Sequence, residues 1–114
     1  MDKRKQLLLE LLSPHRPVPA IREELSKFQW DSETELVSLT RDHLKKLLGD
    51  FIGGHLIVSE VQMWAETIEG RDDIGMESER AELLKSIIFE MATQELGRPL
   101  TRSLAERYIE ELSR

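Results

Sequence analysis

The sequence predicts an all-α protein, a compact antiparallel bundle of about five or six helices that spans residues 1–114 as one domain. Three observations lead to this prediction. Apolar residues recur at helical spacing in every long segment. Proline and glycine separate these segments at short intervals, and no two segments have the alternation expected of paired strands. Because the connections are only a few residues long, consecutive helices are expected to be antiparallel neighbours.

Length and composition set further limits on the class of protein. A chain of 114 residues is expected to bury about two-thirds of its surface on folding, which is enough for a single core. The chain contains no cysteine, which excludes disulfides, thiolate metal sites and cysteine nucleophiles. Apolar runs such as residues 7–9 are far shorter than the ~20 residues of a transmembrane helix. We therefore expect a cytoplasmic protein with no segment in a membrane.

Proline and glycine divide the first half of the chain into three predicted helices. The first is expected over residues 2–12 and ends at a Ser-Pro pair, since proline cannot continue the helix. The second is expected to begin near residues 17–19, where prolines are tolerated in a first turn. The third is expected from about residue 32 or 33 to residue 52. A break near residues 38–40 is compatible with this pattern, because Thr40 is suited to cap a helix that restarts there.

The second half of the chain is expected to contain the remaining helices. Ser59 and Gln62 have the spacing of a capping box and predict the start of the fourth helix. The fifth is expected over about residues 77–96. Its apolar residues cover a wide arc, so the stretch 83–92 is predicted to be the most buried part of the molecule. The last helix is expected to begin after Thr101, which is suited to cap it.

The sequence offers little for catalysis, and we expect no enzyme activity, no cofactor and no metal. The histidines, His15, His43 and His55, lie in three different segments, and none has a second histidine at the spacing of a helical metal site. No serine has the glycine neighbours of a nucleophile elbow. The pair Gly53-Gly54 lacks the lysine and hydroxyl residue of a phosphate-binding loop, and it is interpreted as a turn.

Negative charge is concentrated in one short stretch of the chain. The net charge is −6, and residues 59–79 alone carry a charge of that size. The candidate partner-binding residues in this stretch are Glu66, Glu69, Asp72, Asp73 and Glu77. Such a cluster has three interpretations: a site for a divalent cation, a set of local contacts that stabilise a turn and the next helix, or a surface that attracts a basic protein. The functional prediction adopts the third.

Aromatic residues give two further candidates for a binding surface. Trp64 lies on the apolar stripe of the fourth helix, which favours packing in the core. Phe28 and Trp30 lie between predicted helices, where they either cover the edge of the bundle or form a docking surface. The first of these alternatives is preferred.

Binding to nucleic acid requires a basic face. The candidate residues are Lys3-Arg4-Lys5 and Arg41 with Lys45-Lys46, whereas the fourth helix has three glutamates and no basic residue. This distribution argues against nucleic acid as a partner. A nucleic-acid-associated regulatory protein remains an alternative if the two basic groups converge on one face.

Some segments of the chain resemble known bacterial proteins. The run Leu47-Leu48-Gly49-Asp50-Phe51-Ile52-Gly53-Gly54-His55-Leu56, followed by Glu60-Val61 and Trp64, resembles small helical immunity proteins of the colicin D type. The stretches Trp64-Ala65 to Ile74-Gly75 and Ile87-Ile88-Phe89-Glu90 resemble a family of uncharacterised bacterial helical proteins. The first resemblance implies that an acidic face binds a basic toxin nuclease. The expected function is therefore that of a small bacterial protein-binding module, with a structural or interaction protein of another pathway as a further alternative.

Overall fold

The computed structural model describes residues 2–114, and within this range the chain is mostly helical. The helices are α1 (Lys3–Leu12), α2 (Val18–Leu25), α3 (Arg41–Ile52), α4 (Val58–Glu69), α5 (Ala81–Ala92) and α6 (Arg102–Leu112). The remaining regular elements are two short strands, β1 (Val37–Leu39) and β2 (Ile74–Met76), and two 3₁₀ turns, Ser78–Arg80 and Gln94–Leu96. The prediction of a predominantly helical protein is confirmed. The antiparallel arrangement of a bundle stays a prediction.

The two strands form a small parallel sheet, so the prediction that the chain has no strand pair is wrong. Val37 is paired with Ile74 and Leu39 with Met76. Strands of three residues are too short to show a clear alternating pattern. Parallel strands also need a long crossover, here made by α3 and α4, so there was no hairpin turn between them to recognise.

Helix α3 begins at Arg41, and the residues before it are extended rather than helical. Thr40 caps the helix: its Oγ1 accepts from the His43 N–H at 3.3 Å, while the Thr40 N–H donates to His43 Nδ1 at 3.0 Å. The restart expected at Thr40 is confirmed. The prediction of helix over residues 33–40 is wrong: residues 37–39 pair with β2, and residues 33–36 are not helical.

Helix α4 begins at Val58, without the predicted capping box of Ser59 and Gln62. Its first turn is closed instead by Glu60, whose Oε1 accepts from the Ile57 N–H at 3.4 Å. Gln62 points across to the turn after α5 and donates to Glu95 Oε2 at 2.9 Å. The helix therefore starts earlier than predicted, with Ile57 as its N-cap and Glu60 at the third position, the place that a capping box gives to Glu or Gln.

Helix α5 contributes much of the core, although it is shorter than predicted. A 3₁₀ turn precedes it and another follows it, so the expected continuous helix over residues 77–96 is interrupted at both ends. Its buried side chains are Leu84, Ile87, Ile88, Met91 and Ala92. Phe89, which was counted in the apolar arc of the stretch 83–92, is 54% exposed, and Lys85 and Ser86 are exposed as well, so this stretch is buried on one side of the helix.

Trp64 ties α4 to α1 in the centre of the molecule, as its place on the apolar stripe predicted. Its side chain is fully buried, and its indole Nε1 donates to the Leu11 carbonyl at 2.6 Å. Helix α4 packs most extensively on α5, and α6 packs mainly on α3. The sheet lies to one side of these helices and leads to the loop that contains Trp30.

Candidate functional site

Asp73, which was expected to be part of an acidic surface, is fully buried. Arg71 donates from Nε to Oδ1 at 3.0 Å and from Nη2 to Oδ2 at 2.9 Å, and Arg4 donates from Nε to Oδ2 at 3.0 Å. We call these three residues the Asp73 ion cluster. Two guanidinium groups compensate the carboxylate inside the fold. The expectation that Asp73 is exposed to a partner is therefore wrong.

The Asp73 ion cluster also fixes the loop between α2 and β1. Arg4 Nη2 donates to the carbonyl oxygens of Gln29, at 2.8 Å, and Asp31, at 3.0 Å. Arg71 Nη2 donates to the same Gln29 oxygen at 2.8 Å. The side chain of Arg71 is only 7% exposed, whereas Gln29 and Asp31 are exposed, so these bonds fasten a surface loop to the buried cluster. The backbone on both sides of Trp30 is thus held by charged donors.

Trp30 projects from this fixed loop and is 60% exposed. Its own carbonyl accepts from the Asp72 N–H at 2.9 Å, which brings the acidic turn after α4 next to the tryptophan. Asp31, Glu33 and Asp72 are exposed and line a shallow depression between Arg4 and the loop that carries Trp30. We call Trp30 and these three acids the Trp30 surface. The interpretation of the loop as a cover for the bundle is right for Phe28, which packs on the core, and wrong for Trp30.

The structure does not bring the five predicted acids to one surface. Asp72 belongs to the Trp30 surface, whereas Glu66 and Glu69 are exposed on the last turns of α4. Glu69 lines a groove beside β2. Glu77 lies at the far end of the strand and is partly buried. Acids close together in sequence are separated because the chain changes from helix to strand between them.

Glu77 has a structural role at the end of the sheet. Its N–H donates to the Leu39 carbonyl at 2.8 Å, and its Oε1 lies 3.9 Å from Arg41 Nε. The pair joins β2 to the first turn of α3. This agrees with the local interpretation of the acidic stretch, in which its members stabilise turns and neighbouring elements.

Sequence reasoning missed Glu33 and Arg4 as parts of this region. The sequence contained a weak signal for Glu33, since residues 23–39 carry a net charge of −4. No local signal existed for the arginine, which is 69 positions from Asp73 along the chain. Contacts between a helix and a distant turn leave no periodicity in the sequence.

Several basic residues considered for nucleic acid are engaged in ion pairs. Arg4 and Arg41 contact the acids described above, and Lys46 Nζ lies 3.2 Å from Asp50 Oδ2. These pairs reduce the positive charge available for phosphates. The arrangement gives no support to a nucleic-acid interface.

Ion pairs elsewhere hold the scaffold together. Arg16 binds Glu10 and Glu24 and so joins the two N-terminal helices; its hydrogen bonds hold the pKa of the Glu10 carboxyl below its ordinary value. Tyr108 donates to Glu90 and connects α6 to α5. Burial, followed by this hydrogen bond, raises the pKa of Tyr108. Neither group lies near the Trp30 surface.

Within residues 2–114, no three His, Asp or Glu side chains are arranged so that they would hold a metal ion. In the same range, no helix has the length and apolar character needed to cross a membrane. Comparison with models of protein families, with characterised proteins and with solved structures gave no match. The function must therefore be inferred from the geometry of the site.

Proposed function

We propose that this protein is a protein-binding module that holds the basic surface of another protein against the Trp30 surface. The observation that carries the proposal is the exposure of Trp30 on a loop whose neighbouring carbonyls are fixed by Arg4 and Arg71. A large exposed aromatic side chain on a fixed backbone is typical of an interface hot spot. The fixed loop has little conformational freedom to lose on binding.

Charge around the tryptophan selects the class of partner. Asp31 follows Trp30 directly, Glu33 lies on the same loop, and the Asp72 N–H donates to the Trp30 carbonyl. All three acids are exposed, and no ion pair within residues 2–114 involves any of them. Three carboxylates at one edge of an apolar contact attract a surface rich in lysine and arginine and accelerate its association. Together with the resemblance to colicin D-type immunity proteins, this makes a basic toxin nuclease the first partner to test, with a cytoplasmic bacterial role.

The proposal is tested by capture of partners from the native host on immobilised protein, followed by measurement of Kd with the purified partner. Trp30→Ala should weaken binding by about 30-fold, equivalent to about 2 kcal/mol for a hot spot. Asp31→Asn combined with Asp72→Asn should weaken binding more at low salt than at high salt, because salt screens the attraction between the charged surfaces.

Leu96→Ala is the matched control, because Leu96 is an exposed apolar residue at 79% and lies outside the Trp30 surface. It should leave the Kd unchanged. If Trp30→Ala retains the wild-type Kd for every captured protein, the proposed function is wrong.

A further inference from the structure

A pocket of about 350 Å³ lies where the loop before α6 leads into that helix. Its lining residues are Arg98, Pro99, Thr101, Ser103, Leu104 and Arg107. We call it the Arg98–Arg107 pocket. Both charged residues of the lining are arginines, and no acidic side chain of residues 2–114 lines the pocket. It is therefore a positively charged site on a protein whose net charge is −6.

The two arginines differ in how far their charge is compensated. Arg107 is exposed, and no ion pair within residues 2–114 involves it. Arg98 Nη2 lies 3.6 Å from Glu90 Oε2, and the same carboxylate accepts from the Tyr108 hydroxyl. Even if Glu90 is counted against Arg98, the charge of Arg107 is left for a ligand.

The backbone that carries Arg98 is anchored to the core. Gln94 is buried, and its Oε1 accepts from the N–H of Leu100, itself a buried residue, at 3.0 Å. Directly after it, Thr101 Oγ1 accepts from the Leu104 N–H at 3.2 Å and caps α6. The loop at the pocket thus has little conformational freedom to lose when a ligand binds.

A neutral donor lies beside the arginines. Ser103 precedes Arg107 by four residues, so the two side chains lie on one face of α6. The Ser103 side chain is exposed, and its hydroxyl makes no hydrogen bond within the part of the chain that the structure describes. The pocket therefore offers two guanidinium groups and a hydroxyl to an anion.

A phosphate monoester matches these donors better than a carboxylate does. Each guanidinium group can donate two parallel hydrogen bonds to a pair of anionic oxygens. A phosphate monoester presents three such oxygens and a charge of about −1.5 to −2 at pH 7, which balances two arginines. A carboxylate has a single charge and two oxygens, so it would leave one arginine without a counter-charge.

The surroundings of the pocket favour a single phosphate over a nucleic acid. Glu90 lies beside Arg98, and Glu111 follows Arg107 one turn later on α6. A phosphodiester chain would extend beyond the pocket toward these carboxylates, whereas binding of nucleic acid requires a basic groove that follows the backbone. An isolated phosphate contacts only the pocket.

We propose that the Arg98–Arg107 pocket binds a phosphate monoester, held by both guanidinium groups and by the Ser103 hydroxyl. The phosphate belongs either to a small molecule or to a phosphorylated side chain of a partner protein, and the chemistry of recognition is the same for both. The proposal does not rest on the proposed function, because none of the residues of the pocket belongs to the Trp30 surface.

The probe is N-acetyl-phosphoserine amide, titrated into the full chain and followed by nitrogen-15 NMR. The amide signals of Ser103 and Arg107 should shift in a saturable manner, and the unphosphorylated amide should cause no shift. Inorganic phosphate should compete with the probe. The affinity should decrease as the pH is lowered through about 6, because the phosphate then loses one of its two charges.

Variants of the protein locate the phosphate. Arg107→Gln should weaken binding at least about tenfold, and Arg107→Lys should weaken it less, because lysine retains the charge without the two parallel donors. Arg107 is exposed and has no ion pair, so both variants should unfold in urea like the wild type. Arg114→Gln is the matched control, since Arg114 is an exposed arginine near the other end of α6 and should leave binding unchanged.

A phosphoserine peptide with a leucine on each side distinguishes the two sources of phosphate. Arg98 also lines a neighbouring hollow that includes Phe89 and the exposed Leu96. If the natural ligand is a phosphorylated protein, the peptide should bind at least about tenfold more tightly than the amide, and Leu96→Ala should remove this gain. Equal affinities would assign the pocket to a small phosphate monoester.

Three results would overturn the proposal: no saturable binding of the probe at millimolar concentration, equal affinities of the wild type and Arg107→Gln, or tighter binding of an oligonucleotide that lacks a terminal phosphate. Trp30→Ala separates this proposal from the proposed function. It should leave binding of the probe intact, and loss of binding in this variant would place the phosphate near Trp30 and reject the Arg98–Arg107 pocket.

Discussion

Asp72 and Asp73 are adjacent in sequence and have opposite environments. Asp73 is enclosed by two arginines, whereas Asp72 is exposed and uses its backbone to hold Trp30. Asp73→Asn should lower the free energy of unfolding by about 3 kcal/mol, because it leaves the nearly buried guanidinium of Arg71 and the partly exposed one of Arg4 without their counter-charge. Asp72→Asn should change it by less than about 0.5 kcal/mol, as expected for a surface position.

Denaturation by urea, with each substitution made separately, measures both values. An equal loss of unfolding free energy in the two variants would contradict the buried position of Asp73. Making the two substitutions separately also matters for the binding experiments, since a double substitution would combine a change in stability with a change in the Trp30 surface. Only the Asp72 variant is suited to binding experiments.

The two tryptophans show what a sequence reveals about single residues. Trp64 has neighbours at helical spacing, and its burial was predicted because a helical stripe must pack against something. Trp30 has no such neighbours, and its exposure depends on hydrogen bonds from Arg4 and Arg71 to the carbonyls beside it. Those donors come from distant parts of the chain, so no local pattern predicted where the side chain points.

At the scale of elements, the start of α3 is sensitive to pH through His43. Nδ1 of His43 accepts from the Thr40 N–H, so this nitrogen carries no proton when the cap is formed. Partial burial lowers the pKa of His43, with Asp42 and Glu77 acting in the opposite direction. The unfolded chain therefore binds a proton at a higher pH than the folded one. The contribution of the cap to stability is complete above the unfolded pKa, about 6.5, and decreases as the pH falls through the folded pKa.

His43→Gln tests this pH dependence. Glutamine at the third position of a helix accepts the same hydrogen bond and does not titrate in this range. The free energy of unfolding of the wild type should fall more steeply than that of the variant as the pH is lowered from 7 to about 5. Parallel curves for the two proteins would show that His43 does not couple the cap to pH.

The helices were easier to predict than the strands for a physical reason. Thr40 and Thr101 cap their helices through contacts with residues three positions away, so the signal is local. The partners Val37 and Ile74 are separated by two helices, and each strand depends on the other for its hydrogen bonds. The extended stretch before α3 was consequently assigned to a helix.

At the scale of the whole molecule, the candidate surfaces are assembled from separate segments. The Trp30 surface joins the loop before β1 to the turn after α4. A groove beside β2 is lined by Glu35, which precedes β1, and by parts of α4, β2 and α5. The charge of the sequence indicated an acidic protein that favours a basic partner. The fold gives the acids of residues 66–77 different environments, since Asp73 is buried, Glu77 is partly buried, and Glu66, Glu69 and Asp72 are exposed.

The C-terminal helix provides the last prediction, because α6 packs mainly on α3, far from it in sequence. A chain that ends at Leu96 would lack the buried side chains of Leu104, Tyr108 and Leu112. Burial of each contributes roughly 1.5–3 kcal/mol, so their combined loss is comparable with the whole stability of a typical domain, about 5–15 kcal/mol. The shortened chain should bind the dye ANS and melt without a cooperative transition. A chain that ends at Leu112 lacks only exposed residues and should melt like the wild type, whereas cooperative melting of the shorter chain at the wild-type temperature would show that α6 is not part of the core.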